Sequence, residues 1–130
     1  MRSMLLVLAV LATGAQAEEG TPCDKVETTQ QGFECSAFNR TTADREMNTA
    51  YKDLIDRIST QYAAHPPQLS DYLAKIKNAQ DIWVKLRDAD CAVQTFLNEK
   101  GSQAFQIAQN DCFAQNSDER SEYLQSIGIE

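Results

Sequence analysis

Four cysteines, Cys23, Cys35, Cys91 and Cys112, follow a stretch that reads as an export leader, and together they constrain the chain more than any other feature. An even number of thiols delivered to an oxidising compartment closes into disulfides. The leader reading rests on MRSMLLVLAVLATGAQA, with Arg2 at its start, an apolar run from Met4 to Ala12, and the small-residue end Ala15-Gln16-Ala17. That run is too short to remain as a membrane span. Cleavage after Ala17 leaves residues 18–130, one domain's worth of chain with a modest core. No cysteine adjoins the cut, so no lipid anchor is expected, and a soluble periplasmic or secreted protein is. The same thiols do not read as a metal site. There is no Cys-x-x-Cys pair, and the only histidine, His65, precedes Pro66-Pro67 in a loop. Neither metal nor cofactor is expected.

The mature sequence is written in helical periods. Residues 18–22 form a polar tail, and Asp24 to about Ala37 favour helix weakly, with Gly32 as a soft spot. Thr41 or Thr42 can cap a clear helix in which Met47, Ala50, Tyr51, Leu54, Ile58 and Tyr62 recur at steps of three and four. His65-Pro66-Pro67 stops it. A longer helix opens at Gln68 or Leu69; Leu69, Leu73, Ile76, Ala79, Trp83, Leu86 and Val93 carry its period to about Leu97. Asn98 to Ser102 is a turn, Gln103 to Phe113 a third amphipathic segment, and Asn116 with Glu119 can box the start of a short last helix that ends at Gly128. No strand alternation or hairpin signal competes. The expected fold is all-α, a small disulfide-stapled bundle with two long antiparallel helices and shorter ones packed on them.

Cys91 and Cys112 lie almost symmetrically about the Gly101-Ser102 turn, so a helical hairpin brings them together. That favours Cys91–Cys112 and leaves Cys23–Cys35, each contributing on the order of 3 kcal/mol by restricting the unfolded chain. Cys35–Cys91 competes, and spacing does not decide between them.

Two segments resemble a known family. CSAFNRTTADREMNTAYKDL fits a cysteine followed by Asp-x-x-Leu/Met-Asn-x-x-Tyr, and AQDIWVKLRDADC fits Ala-Gln-x-x-Trp-x-x-x-Arg-Asp-x-x-Cys. Cys112 and the late Arg120-x-x-x-Leu124 complete a pattern similar to the LprI-type lysozyme inhibitor domain of bacterial secreted proteins. The resemblance spans nearly the whole mature chain. It implies a helical domain that binds a protein partner, with inhibition of c-type lysozyme known for some members. An immunity or envelope-stress binding protein for another partner is the alternative.

The residues themselves agree with binding more than with catalysis. Gln80, Trp83 and Arg87 share one helix face, and Asp44, Asn48 and Tyr51 share another. The expected arrangement sets Arg87 against Asp44, Gln80 against Asn48 and Trp83 on Tyr51, with Asp88 one residue round from Arg87: a structural polar joint between two helices. The same residues could line a pocket, but no placed His base, nucleophile elbow or phosphate-binding glycine loop completes an enzyme. Acid pairs are too common on helices to mark a glycosidase. Removing the leader takes Arg2 and moves the formal charge from -7 to -8. That argues against nucleic acid and fits a basic protein such as a lysozyme. A turn bearing Lys100 and Ser102 is a candidate contact, since such groups can bond the carboxylates of a glycosidase cleft; an ordinary solvated turn is the plainer reading.

Overall fold

The computed structural model describes residues 20–129, and the leader expected over residues 1–17, with its cleavage point, lies outside them. Among the described residues three helices make up the fold: α1 (Thr29–Gln61), α2 (Pro66–Gln94) and α3 (Gln103–Ser126). No strand occurs among the described residues. No helix among them is long and apolar enough to cross a membrane. Within the expected polar tail, Thr21 and Asp24 close a tight turn, the Thr21 amide donating to Asp24 Oδ2 at 2.8 Å.

Two joints that the sequence suggests are continuous helix instead. α1 begins at a capping box well ahead of Thr41: Thr28 Oγ1 accepts from the Gln31 amide at 3.1 Å, and Gln31 Oε1 accepts from the Thr28 amide at 3.1 Å. Gly32 does not break the first turn, because that turn is held by the cap on one side and the Cys23–Cys35 bridge on the other. In α3 the expected helix start at Asn116 lies mid-helix, where its Nδ2 donates to the Cys112 carbonyl at 2.8 Å instead of capping. Ser102 is the N-cap of α3, and Gly128, at φ +69°, turns the chain away after Ile127.

The polar ties that link elements fix the directions. Ser36 meets Asn110, Asp44 meets Ser117 and Arg57 meets Ile127, so α1 and α3 run parallel. Met47 meets Gln80 and Cys91 meets Cys112, so α2 runs antiparallel to both. The α1–α3 interface is the most extensive, and α2 rests mainly against α3. This differs from a bundle in which the two long helices of the sequence face each other directly. The reason is size: Ala43 and Ala50 on α1 and Ala114, Ser117 and Ser121 on α3 are all buried, and small side chains let these two backbones come close.

The main core joins Met47, Ala50, Leu54 and Ile58 with Ile76 and Leu124. Tyr62 and Tyr72 stack at its edge, ring centroids 5.5 Å apart. A smaller cluster of Cys91, Cys112 and Phe113 sits toward the other end. Both disulfides take the favoured pairing, Cys23–Cys35 and Cys91–Cys112. One group of apolar residues departs from expectation. Ala79, Leu86 and Val93 share the period of α2 but are exposed, because the helix carries two apolar stripes and only the one through Leu69, Leu73, Ile76 and Trp83 reaches the core.

Candidate functional site

The joint expected between Asp44 and Arg87 forms, and it involves all three helices. The Arg87 side chain, from α2, is only 14% exposed, and its Nη1 lies 3.9 Å from Asp44 Oδ1 on α1. Its Nε and Nη2 donate to Asp88 Oδ1 at 3.2 and 3.1 Å. Asp44 takes its shorter bond from α3, where Ser117 Oγ donates to Oδ1 at 2.8 Å. The carboxylate therefore stands between a guanidinium and a buried hydroxyl, each from a different helix.

Around this pair runs a column in which cations and rings alternate. Arg40 lies 4.1 Å from the centroid of Phe113, and Arg87 lies 4.6 Å from the same ring. Arg87 also lies 5.1 Å from Trp83, Arg120 lies 5.6 Å from Trp83, and Arg120 lies 4.9 Å from Tyr123. The order is Arg40, Phe113, Arg87, Trp83, Arg120, Tyr123. All the separations fall within the range where a ring face attracts a cation. The ends are tied as well: Arg40 Nη1 donates to Asn110 Oδ1 at 3.2 Å, and Asn110 Nδ2 donates to Ser36 Oγ at 3.2 Å. Arg120 Nε donates to Gln80 Oε1 at 3.0 Å, and Gln80 Nε2 points at Met47 Sδ, 3.0 Å away. Partial burial lowers the pKa of Arg120 from its ordinary value, against a smaller opposing effect of Tyr123.

Not every expected partner is in place. Gln80 bonds Met47 and Arg120 rather than Asn48, because Met47 holds the inward position on α1 and Asn48, one residue on, is turned out to solvent. Tyr51 and Trp83 both pack against the main core, each half-buried. Asp88 stays half-exposed beside Arg87. An open depression of about 530 Å³ is lined by Thr41, Asp44, Arg45, Asn48, Thr49 and Lys52, with neither Arg87 nor Tyr51 among its walls. It offers polar surface but no juxtaposed base and nucleophile.

In the α2–α3 turn, Lys100 is exposed and makes no ion pair among the described residues. Ser102 is occupied. Its hydroxyl donates to the Glu99 carbonyl at 2.6 Å and accepts from the Phe105 amide at 3.1 Å. It serves as the N-cap of α3. Lys100 contributes to a groove of about 330 Å³ with Asp88, Phe96 and Phe105. No group of three or more His, Cys, Asp or Glu side chains among the described residues is placed to hold a metal ion.

Reading the sequence for this site missed Arg40, Phe113 and Ser117. A signal was present in α1: running the period back from Ala43 puts Arg40 and then Ser36 on the buried seam, and an arginine at a seam position needs a partner. Ser117 gave none, since a serine in a helix is ordinarily solvated.

These features define a class: an all-α domain of three helices, stapled by two local disulfides and keyed by an arginine–aromatic column. Comparison with known proteins makes the assignment specific. The chain belongs to the family described as "Lysozyme inhibitor LprI", whose model matches residues 23–124. It is also similar to a solved structure, a DUF1311 family protein from Pseudomonas putida KT2440, at 46% identity and a TM-score of 0.73, over 82% of this chain and 99% of that one. Among curated proteins none matches.

Proposed function

We propose that the chain is exported, loses residues 1–17, and acts in the periplasm or outside the cell as a protein that binds and inhibits a lysozyme-like glycosidase, with no catalysis of its own. The family match over residues 23–124 carries this reading. Burial of Arg87 supports it, because a guanidinium that is only 14% exposed and packed between two rings serves the fold rather than a substrate. Charge supports it too. Asp111, Asp118, Glu119 and Glu122 form an exposed acidic strip on α3, suited to approach by a basic enzyme. Lys100 is the turn residue positioned to reach a carboxylate of the partner.

The test mixes purified oxidised protein with c-type lysozyme and follows lysis of cell walls. Inhibition at micromolar protein, weakening as salt rises, is the expected result. Undiminished lysis at micromolar excess removes the claim for that enzyme. Capture of a different envelope protein would then favour the immunity or stress-adaptor role.

A further inference from the structure

α2 has a second apolar stripe, and nothing among the described residues covers it. Ile82, Leu86, Ala89 and Val93 recur at steps of four, three and four, the spacing of a coiled-coil seam, and Phe96 follows in the turn just past the helix end. They lie on the side of α2 opposite Ile76, Gln80, Arg87 and Cys91, which face inward. Exposure is 56% at Ile82, 55% at Leu86, 75% at Val93 and 82% at Phe96, and Leu97 beside them reaches 94%. These side chains present several hundred Å² of apolar surface. A typical monomer's largest patch is roughly 300–600 Å², and a stable pair buries about 800 Å² on each partner.

The charges beside the stripe select what covers it. The charged residues that flank the stripe on α2 are one of each sign, Lys85 and Asp90, and both are exposed. This face is balanced although the chain as a whole is at -7. A cationic partner finds its complement on α3 instead, while a neutral self-complementary face suits a second copy. Lys85 and Asp90 flank the seam on its two sides, five residues apart, and neither makes an ion pair among the described residues. In a parallel pairing that separation sets each lysine against the aspartate of the other copy. An antiparallel pairing centred on the seam would set Asp90 against Asp90 of the partner subunit.

We propose that this stripe is a dimer seam on which two copies of the chain pair through parallel α2 helices, closed on each side by a Lys85–Asp90 ion pair. Ala89, at mid-seam, has only a methyl group and lets the helices approach. Both helices are already folded in their own bundles, so pairing costs no helix nucleation.

The experiment is sedimentation velocity and light scattering on the oxidised, exported protein from about 1 to 100 µM, a range that brackets the micromolar affinity of a modest interface. The wild type is expected at twice the chain mass at the upper end. Leu86→Glu and Val93→Glu are expected to weaken pairing at least about 100-fold, with helical content and disulfides unchanged because both positions are exposed. Lys85→Glu is expected to weaken it roughly tenfold, and adding Asp90→Lys to the same chain to restore it. A wild type that stays monomeric at the upper concentration overturns the seam, as does a Val93→Glu protein that still pairs. A charge swap that does not restore pairing overturns the parallel arrangement. A monomer whose inhibition of lysozyme disappears in Val93→Glu would assign the stripe to the enzyme and overturn the proposal, while leaving the inhibitor reading intact.

Discussion

Replacing Arg87 with alanine should be among the most damaging single changes outside the apolar core and the disulfides. Its guanidinium sits 4.6 Å from Phe113 and 5.1 Å from Trp83, and partly buried cation–ring contacts are worth about 1 kcal/mol each. The bonds to Asp88 add less than about 1 kcal/mol, because that carboxylate is 55% exposed. The contact with Asp44 at 3.9 Å adds little, since Ser117 keeps that carboxylate bonded when the arginine goes. The buried aliphatic stem adds about 1 kcal/mol more. The total is about 3 kcal/mol, which for a domain of this size lowers Tm by roughly 12–20 °C. Arg87→Met keeps the stem and loses the cation, so it should cost about 2 kcal/mol; Arg87→Lys keeps the charge but not the planar fork, and should cost about 1–2 kcal/mol. Denaturant unfolding of the oxidised proteins, with m-values compared to confirm two-state behaviour, gives the numbers. An alanine variant within about 0.5 kcal/mol of wild type would refute the structural role of the column, since that is the scatter expected for an ordinary surface site. Because the residue is internal, folded Arg87→Met should also keep lysozyme inhibition within about twofold; its selective loss would mean that the column touches the partner.

Gly32→Ala should stabilise by about 0.5–1 kcal/mol, because a Cβ there meets Ile107 Cδ1 and Val26 Cγ1 at an ordinary 3.8 Å and the helix loses its most flexible residue; thermal unfolding reports it. Gly128→Ala should cost about 1–2 kcal/mol, since φ is +69° and the new methyl would stand 2.8 Å from Ile58 Cδ1. Partial desolvation raises the pKa of Asp111, so the folded chain binds its proton more tightly than the unfolded chain. The stability contributed by this group is full below the unfolded value and is lost as pH rises through the folded one. Asp111→Asn should therefore raise Tm slightly at pH 7 and leave it unchanged in strong acid, and a variant equally stabilised at both would refute the sign. Replacing Cys91 and Cys112 together by serine should cost about 3 kcal/mol, measured by denaturant unfolding under matched redox conditions.

The fold class was legible because it follows from local spacing, and the bridges only in part: spacing favoured the pairing that forms without excluding Cys35–Cys91. The apolar period of Met47, Ala50, Leu54 and Ile58 names the core face of α1, and Cys91 and Cys112 straddle a glycine turn. What the sequence hid was α3. Its buried face includes Asn110, Ala114, Ser117 and Ser121, small or polar residues that read as solvent-facing until a neighbouring helix supplies their partners. Hence Asn116 looks like a helix start, and Gln80 is matched to Asn48 when its oxygen in fact accepts from Arg120 of α3. The joint itself was half legible: the Asp44–Arg87 pair was recognisable, but its third member, Ser117, and the outer cation, Arg40, come from helix contacts 70 or more residues apart in sequence. The outward stripe of Leu86 and Val93 was misassigned for a simpler reason. Period shows that a residue lies on an apolar face, not which apolar face is covered.

The disulfide connectivity has a consequence for how the protein matures. Each cysteine is bonded to the next one along the chain, first to second and third to fourth. On the proposed export route, a polypeptide threaded N-terminus first through a membrane meets an oxidant in that same order, so first-come pairing is also right pairing. Such a molecule needs an electron acceptor for its thiols but no shuffling enzyme to correct them. Its two staples can close while the long-range docking of the first helix against the last still awaits the end of translocation.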